Sequence, residues 1–171
     1  MEEIAGPQLS KLRGIRGMEM VIILAVLIGI VAGLRAFTAP AAVSLAVRYW
    51  HLGVVGTPLA FLGYRWTPWI FLLLALAELV GDQLPATPSR KVPLQFGTRI
   101  IMGALAGGAI AANGMLYLGL VAGAAGAVIG TLGGAAARAW LAAALKQDRP
   151  AALLEDGIAI VAAWLIVCVA A

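Results

Sequence analysis

From Ile100 to Ala137 the chain carries no Asp, Glu, Lys or Arg, an unbroken run of 38 residues. A transmembrane helix needs about 20 apolar residues to cross the hydrocarbon core, so this run accommodates two crossings and the turn between them. Asn113-Gly114 supplies that turn. Residues 20–34 and 36–47 are likewise free of charge. Only 12% of the 171 residues are charged and 63% are hydrophobic, whereas a soluble domain is about 25% charged. The chain lacks the polar surface to face water on all sides. Outer-membrane barrels alternate apolar and polar residues within ~10-residue segments. The runs here are continuous, so the class is all-α integral membrane.

The first 17 residues, MEEIAGPQLSKLRGIRG, form a polar, basic segment, and residues 18–171 form a single transmembrane domain. The segment resembles the start of a signal peptide. No small-x-small cleavage site closes the apolar run before Arg35, so it is taken as an uncleaved first span. Met18 and Met20 are alternative starts. Five spans are expected. Span 1 runs from Met18 to Trp50 and is interrupted near Arg35. Span 2 starts at Pro58 or Thr67 and ends at Val80. Span 3 covers 97–112, span 4 covers 115–145, and span 5 covers 151–171. Lys11, Arg13, Arg16, Arg90, Lys91, Arg99, Lys146 and Arg149 then share one side, against Arg48 and Arg65 on the other. The positive-inside rule places the N-terminus in the cytoplasm and the C-terminus outside. Tyr49, Trp50, Tyr64, Trp66 and Trp69 would form an outer aromatic belt.

GIVAGLRAFTAP from Gly29 is echoed by GAVIGTLGGAAARAW from Gly126. Each has a small-xxx-small pair, an interruption and an arginine. The following spans carry Glu78 with Asp82 and Glu155 with Asp156. In the five-span path the echoed segments run in opposite directions. That suggests an inverted-topology repeat, spans 1–2 and 4–5 around span 3. The rival explanation is chance likeness between Gly/Ala-rich helices. Both carboxylate pairs fall toward the cytoplasmic side, which strict inversion would not give.

Thr38 can cap a half-helix with Pro40 in its first turn, because Ala39 before proline disfavours helical geometry. Thr131 and Gly133-Gly134 would loosen span 4 in the same way. Two helix N-termini near the midplane, with Arg35 and Arg138, would make an anion site. An arginine at a span centre costs about 2.5–3.5 kcal/mol on insertion scales. Its partners come from Glu78, Asp82, Glu155 and Asp156. Either these residues form a polar centre for substrate, or the expected pairs Arg35–Glu78 and Arg138–Glu155 are permanent ion pairs that fix helix register.

Other features carry less. Asp82–Pro93 is a proline-rich cytoplasmic loop in which Arg90 and Lys91 suit anionic headgroups. His51, the only histidine, sits at an interface, and one histidine without nearby cysteine makes no zinc site. Cys168 lies in an apolar run. The basic residues flank spans, so topology accounts for the +4 net charge without nucleic acid. No nucleophile elbow, P-loop or HExxH pattern occurs. No cofactor is called for. The GxxxG pairs are packing signals within or between subunits, and a homodimer fits any reading.

GLRAFTAP, ELVGDQLPATPSR, and GTLGGAAARAW with LLEDGIAI following resemble, in that order, a family of small bacterial integral-membrane proteins catalogued as domain of unknown function 4126. The resemblance covers roughly residues 18–170 and implies a multi-span membrane protein. It carries no activity and no catalytic residue. Three functions follow as expectations. The first is a transporter or channel for an anionic or proton-coupled small molecule or ion, centred on Arg35, Thr38, Glu78, Asp82, Thr131, Arg138, Glu155 and Asp156. The second is a membrane enzyme acting on a lipid or lipid-linked phosphate. The third is a non-catalytic scaffold whose partners are the bilayer and other chains.

Overall fold

A computed structural model describes residues 2–81, 92–145 and 148–171. Asp82, Arg90, Lys91 and Lys146 lie outside them. All regular structure among the described residues is helical: α1 (Glu2–Leu34), α2 (Thr38–Tyr49), a 3-10 helix (Pro58–Gly63), α3 (Thr67–Gly81), α4 (Pro93–Ile110), α5 (Leu116–Leu145) and α6 (Asp148–Ala170). Three segments, Gly14–Leu34, Leu116–Leu141 and Ala152–Ala170, are long and apolar enough to cross a membrane, and α3 is a shorter apolar helix. Large apolar side chains point outward along the bundle, among them Leu73, Val121, Ile129 and Leu165. Such a surface suits hydrocarbon and not water.

Glycine and alanine set the architecture. On α1 and α5, Gly29 abuts Gly123, and Gly33 abuts Ala127, Gly130 and Thr131. Gly126 abuts Val26 and Ile30, and Gly130 abuts Ile30. A methyl group on Gly130 would stand 2.9 Å from the carbonyl carbon of Ile30. Only residues without a Cβ let two backbones approach so closely. Higher numbers on α1 meet higher numbers on α5, so the two helices run in the same direction. α4 and α5 run oppositely. Gly103 faces Ala127 and Gly123, Gly107 faces Gly119 and Gly123, and Ala111 faces Gly119. Their connection closes at Gly114, whose φ of +90° suits glycine.

The break in the first span falls where expected, but the chain does not continue through it. α1 ends at Leu34 and α2 begins at Thr38. The start of α2 touches Glu78 near the end of α3. Beyond its far end, Gly53 reaches Asn113 in the α4–α5 turn. α4 runs the same way, from Arg99 beside Glu78 to that turn. α2 is therefore parallel to α4 and antiparallel to α1. Arg35-Ala36-Phe37 reverses the chain. Ser44 then ties α2 to the 3-10 helix by donating to the Leu62 carbonyl at 2.6 Å.

Several expectations fall with this reversal. The five-span path gives way to six helices in alternating directions. The start of α1 and the end of α6 lie at one end of the bundle, not on opposite sides. The echoed segments of α1 and α5 are parallel, so they are not related by inversion. The charge census changes among the described residues. Lys11, Arg13 and Arg16 on α1 lie toward the same end as Arg48 and Arg65. Arg149, in the first turn of α6, lies toward the other end, while Arg90, Lys91 and Lys146 are outside the described residues. Arg99 leaves the census altogether, because it is buried in α4. Finally, α5 is continuous through Thr131 and Gly133-Gly134. Glycine there does not interrupt it. A Cβ on Gly134 would run into the Leu34 side chain, so that glycine serves close packing.

Candidate functional site

Breaking a helix exposes carbonyls at one end and N–H groups at the other, and these need partners inside a membrane. The break at Arg35–Phe37 finds them on neighbouring helices. At the C-terminal end of α1, the Arg99 guanidinium donates to the carbonyls of Gly33 at 2.8 Å and Leu34 at 2.6 Å. The Thr131 hydroxyl also donates to the Gly33 carbonyl at 3.2 Å, while bonding back to Ala127 at 2.8 Å. A cation at a helix C-terminus is favoured by the helix dipole.

At the start of α2 the complementary arrangement holds. The N–H groups of Ala36 and Phe37 donate to the two carboxylate oxygens of Glu78, at 2.9 and 3.0 Å. Thr38 is not the cap. Phe37 occupies that position with helical backbone angles and no side-chain cap bond. Glu78 supplies from α3 what a local Ser, Thr, Asp or Asn normally supplies. The two capping side chains then meet each other, with Arg99 Nη2 3.2 Å from Glu78 Oε1.

Two further ion pairs surround this core. Arg35 is fully buried and donates to the Asp156 carboxylate on α6. Arg138 on α5 lies 4.0 Å from Glu155 Oε2. Arg138–Glu155 is the expected pair. The other expected pair, Arg35–Glu78, does not form: Asp156 takes Arg35 and Arg99 takes Glu78. Among the described residues, three arginines and three carboxylates thus gather from the α1–α2 break and from α3, α4, α5 and α6. Thr38 and Thr131 sit beside them, both buried. The layer lies off-centre: Arg35 directly follows the apolar span of α1, and Asp156 is near the start of that of α6.

The anticipated pair of opposed helix N-termini is absent, since α5 has no break. The N–H groups at the start of α2 are held by Glu78. Arg99 is the residue that sequence reasoning misplaced. Its signal was present: it stands two residues inside the expected third span, followed by 38 residues without charge. His51 is remote, in the turn after α2 with a φ of 61°. Among the described residues no group of His, Cys, Asp and Glu is placed to hold a metal ion.

A cavity adjoins this layer at Thr38. It has a volume of about 200 Å³ and lies between α2, α3 and α6, almost wholly apolar. Trp50 and Trp164 meet edge-to-face across it, ring centres 4.8 Å apart. Comparison of the chain with protein-family models, with curated proteins and with solved structures finds no match.

Proposed function

We propose that this chain is a small transporter or channel of the bacterial inner membrane, held here in a closed conformation, for a small anionic or proton-coupled substrate. The observation that supports this reading is the position of Glu78. Its carboxylate takes two backbone N–H groups and a guanidinium, the ligands a carboxylate or similar anion would seek. Ionisable residues within a membrane are expensive and commonly mark substrate or proton pathways. Exchange of Glu78 for a substrate anion would release its hold on the start of α2 and on α4. Membership of the family catalogued as domain of unknown function 4126, and assembly as a homodimer, belong to the same proposal.

The test is flux in proteoliposomes, with chloride, acetate, phosphate and protons as the candidate cargoes. Wild-type protein should carry at least one. Glu78→Gln and Arg35→Ala should abolish that flux while the protein remains folded and monodisperse. No wild-type flux of any of the four, or unchanged flux in both variants, would refute the proposal. A scaffold role draws on a different observation, the complete burial of Arg35 against Asp156. A register-fixing pair needs no substrate.

A further inference from the structure

The two ends of α3 are fastened differently. Its buried residues, Pro68, Phe71 and Ala75, all precede Leu76. The Thr67 hydroxyl donates to the Phe61 carbonyl at 2.8 Å and ties the helix start to the 3-10 helix. From Leu76 to Val80 no residue is buried, and Leu76, Ala77 and Val80 are exposed. Leu76 and Leu79 also face the cavity shared with α2 and α6. A side chain beside a cavity forfeits contacts on that side.

Inside a membrane no hydrophobic force presses such a helix end onto its neighbours. Close packing and hydrogen bonds between helices must hold it. Glu78 supplies the bonds, its carboxylate accepting from the N–H groups of Ala36 and Phe37 and from Arg99. Hydrogen bonds to an ionised group are roughly twice as strong as neutral ones. The receiving side is well anchored. Arg99 belongs to α4, whose Gly103 and Gly107 abut α5. Ala36 and Phe37 follow closely on α1, which packs on α5 through Gly29 and Gly33. The seat is therefore fixed, and the helix end that bears Glu78 is the part able to move.

We propose that α3 is a hinged flap. Its start, held by Thr67, Pro68 and Phe71, is the hinge. Glu78 is the latch that fastens its far end to the α1–α2 break. When the latch opens, the segment from Leu76 to Val80 swings away from α2 while the start stays in place. This goes beyond transport by naming the element that moves, and it holds whether or not anything is carried.

The experiment uses the full chain in lipid nanodiscs, with Cys168→Ser removing the native thiol, and reads distances between spin labels by pulsed electron paramagnetic resonance. One labelled pair, Val80→Cys with Leu132→Cys, reads the latched end. The other, Ile70→Cys with Leu118→Cys, reads the hinge. All four positions are exposed. In Glu78→Gln the amide nitrogen cannot accept a hydrogen bond, so three donors face a single acceptor oxygen and no charge. That variant should add to the Val80–Leu132 distances a population displaced by about 5 Å or more, the scale of one helical turn. The Ile70–Leu118 distances should not change. Unchanged distances at Val80, or equal displacement at both pairs, would overturn the flap. So would a Glu78→Gln chain that no longer folds, because a latch is dispensable to the fold. Displacement of Val80 in a protein that carries none of the tested ions would uphold the flap and refute transport. Flux without displacement would do the reverse.

Discussion

Removing one member of the Arg35–Asp156 pair should cost far more than removing both. Arg35 is 0% exposed and the Asp156 side chain 9%. Deleting one partner of a buried pair costs about 3–5 kcal/mol, while apolar replacement of both is often neutral or stabilising. The two single variants should also differ. Arg35→Met leaves a carboxylic acid, which can bind a proton and lose its charge. Asp156→Leu leaves a guanidinium, which cannot. Asp156→Leu should therefore fall at the top of that range and Arg35→Met at or below its bottom. The double variant should return to within about 1–2 kcal/mol of wild type, a coupling of about 6 kcal/mol, well beyond the about 0.5–3 kcal/mol usual for residues in contact because each single variant strands a buried ionisable group. The assay is chemical unfolding in mixed micelles followed by tryptophan fluorescence. Single variants as stable as wild type, or a double variant with the summed loss of both, would refute the argument. The same variants separate the two roles of the pair. A stable but flux-dead double variant points to a polar centre that works, and a stable, active one to a register device.

The glycine seams and the chain reversal can be tested as directly. Gly126→Ala with Gly130→Ala should destabilise the protein by about 2–4 kcal/mol, overpacking outweighing the helix propensity that alanine adds. Gly97→Ala and Gly157→Ala, where a methyl meets nothing within 4 Å, should be neutral or stabilising in the same unfolding assay. Reporters of membrane sidedness fused ahead of α1 and after α6 should lie on the same side, and opposite sides would contradict the reversal at Arg35.

What the sequence made legible was chemistry that depends on spacing. Continuous apolar runs gave the membrane class, Asn113-Gly114 the α4–α5 turn, and Arg35 with Pro40 the site of a break. What it hid was direction. Proline and an arginine announce that a helix stops, but nothing local says whether the next one continues or turns back. That depends on Glu78 and Arg99, which are 42 and 66 residues away from the groups they cap. Pairing was hidden for a related reason. Glu78 and Asp156 are chemically equivalent candidates for Arg35, and only the packing of α6 against α1 and α2 chooses between them. Thr131 and Gly133-Gly134 look like a break by composition. In place, a neighbouring helix uses the same small residues as a contact surface.

The glycine seam has one more consequence. GxxxG faces are the usual means by which single membrane helices find a second copy of themselves. In this chain Gly29 and Gly33 are already spent on Gly123 and Gly130, and Gly103 and Gly107 on Gly119 and Gly123. The molecule thus holds within one chain what two identical helices would form between chains. Two copies cannot associate through these same faces without first opening the seam inside each copy.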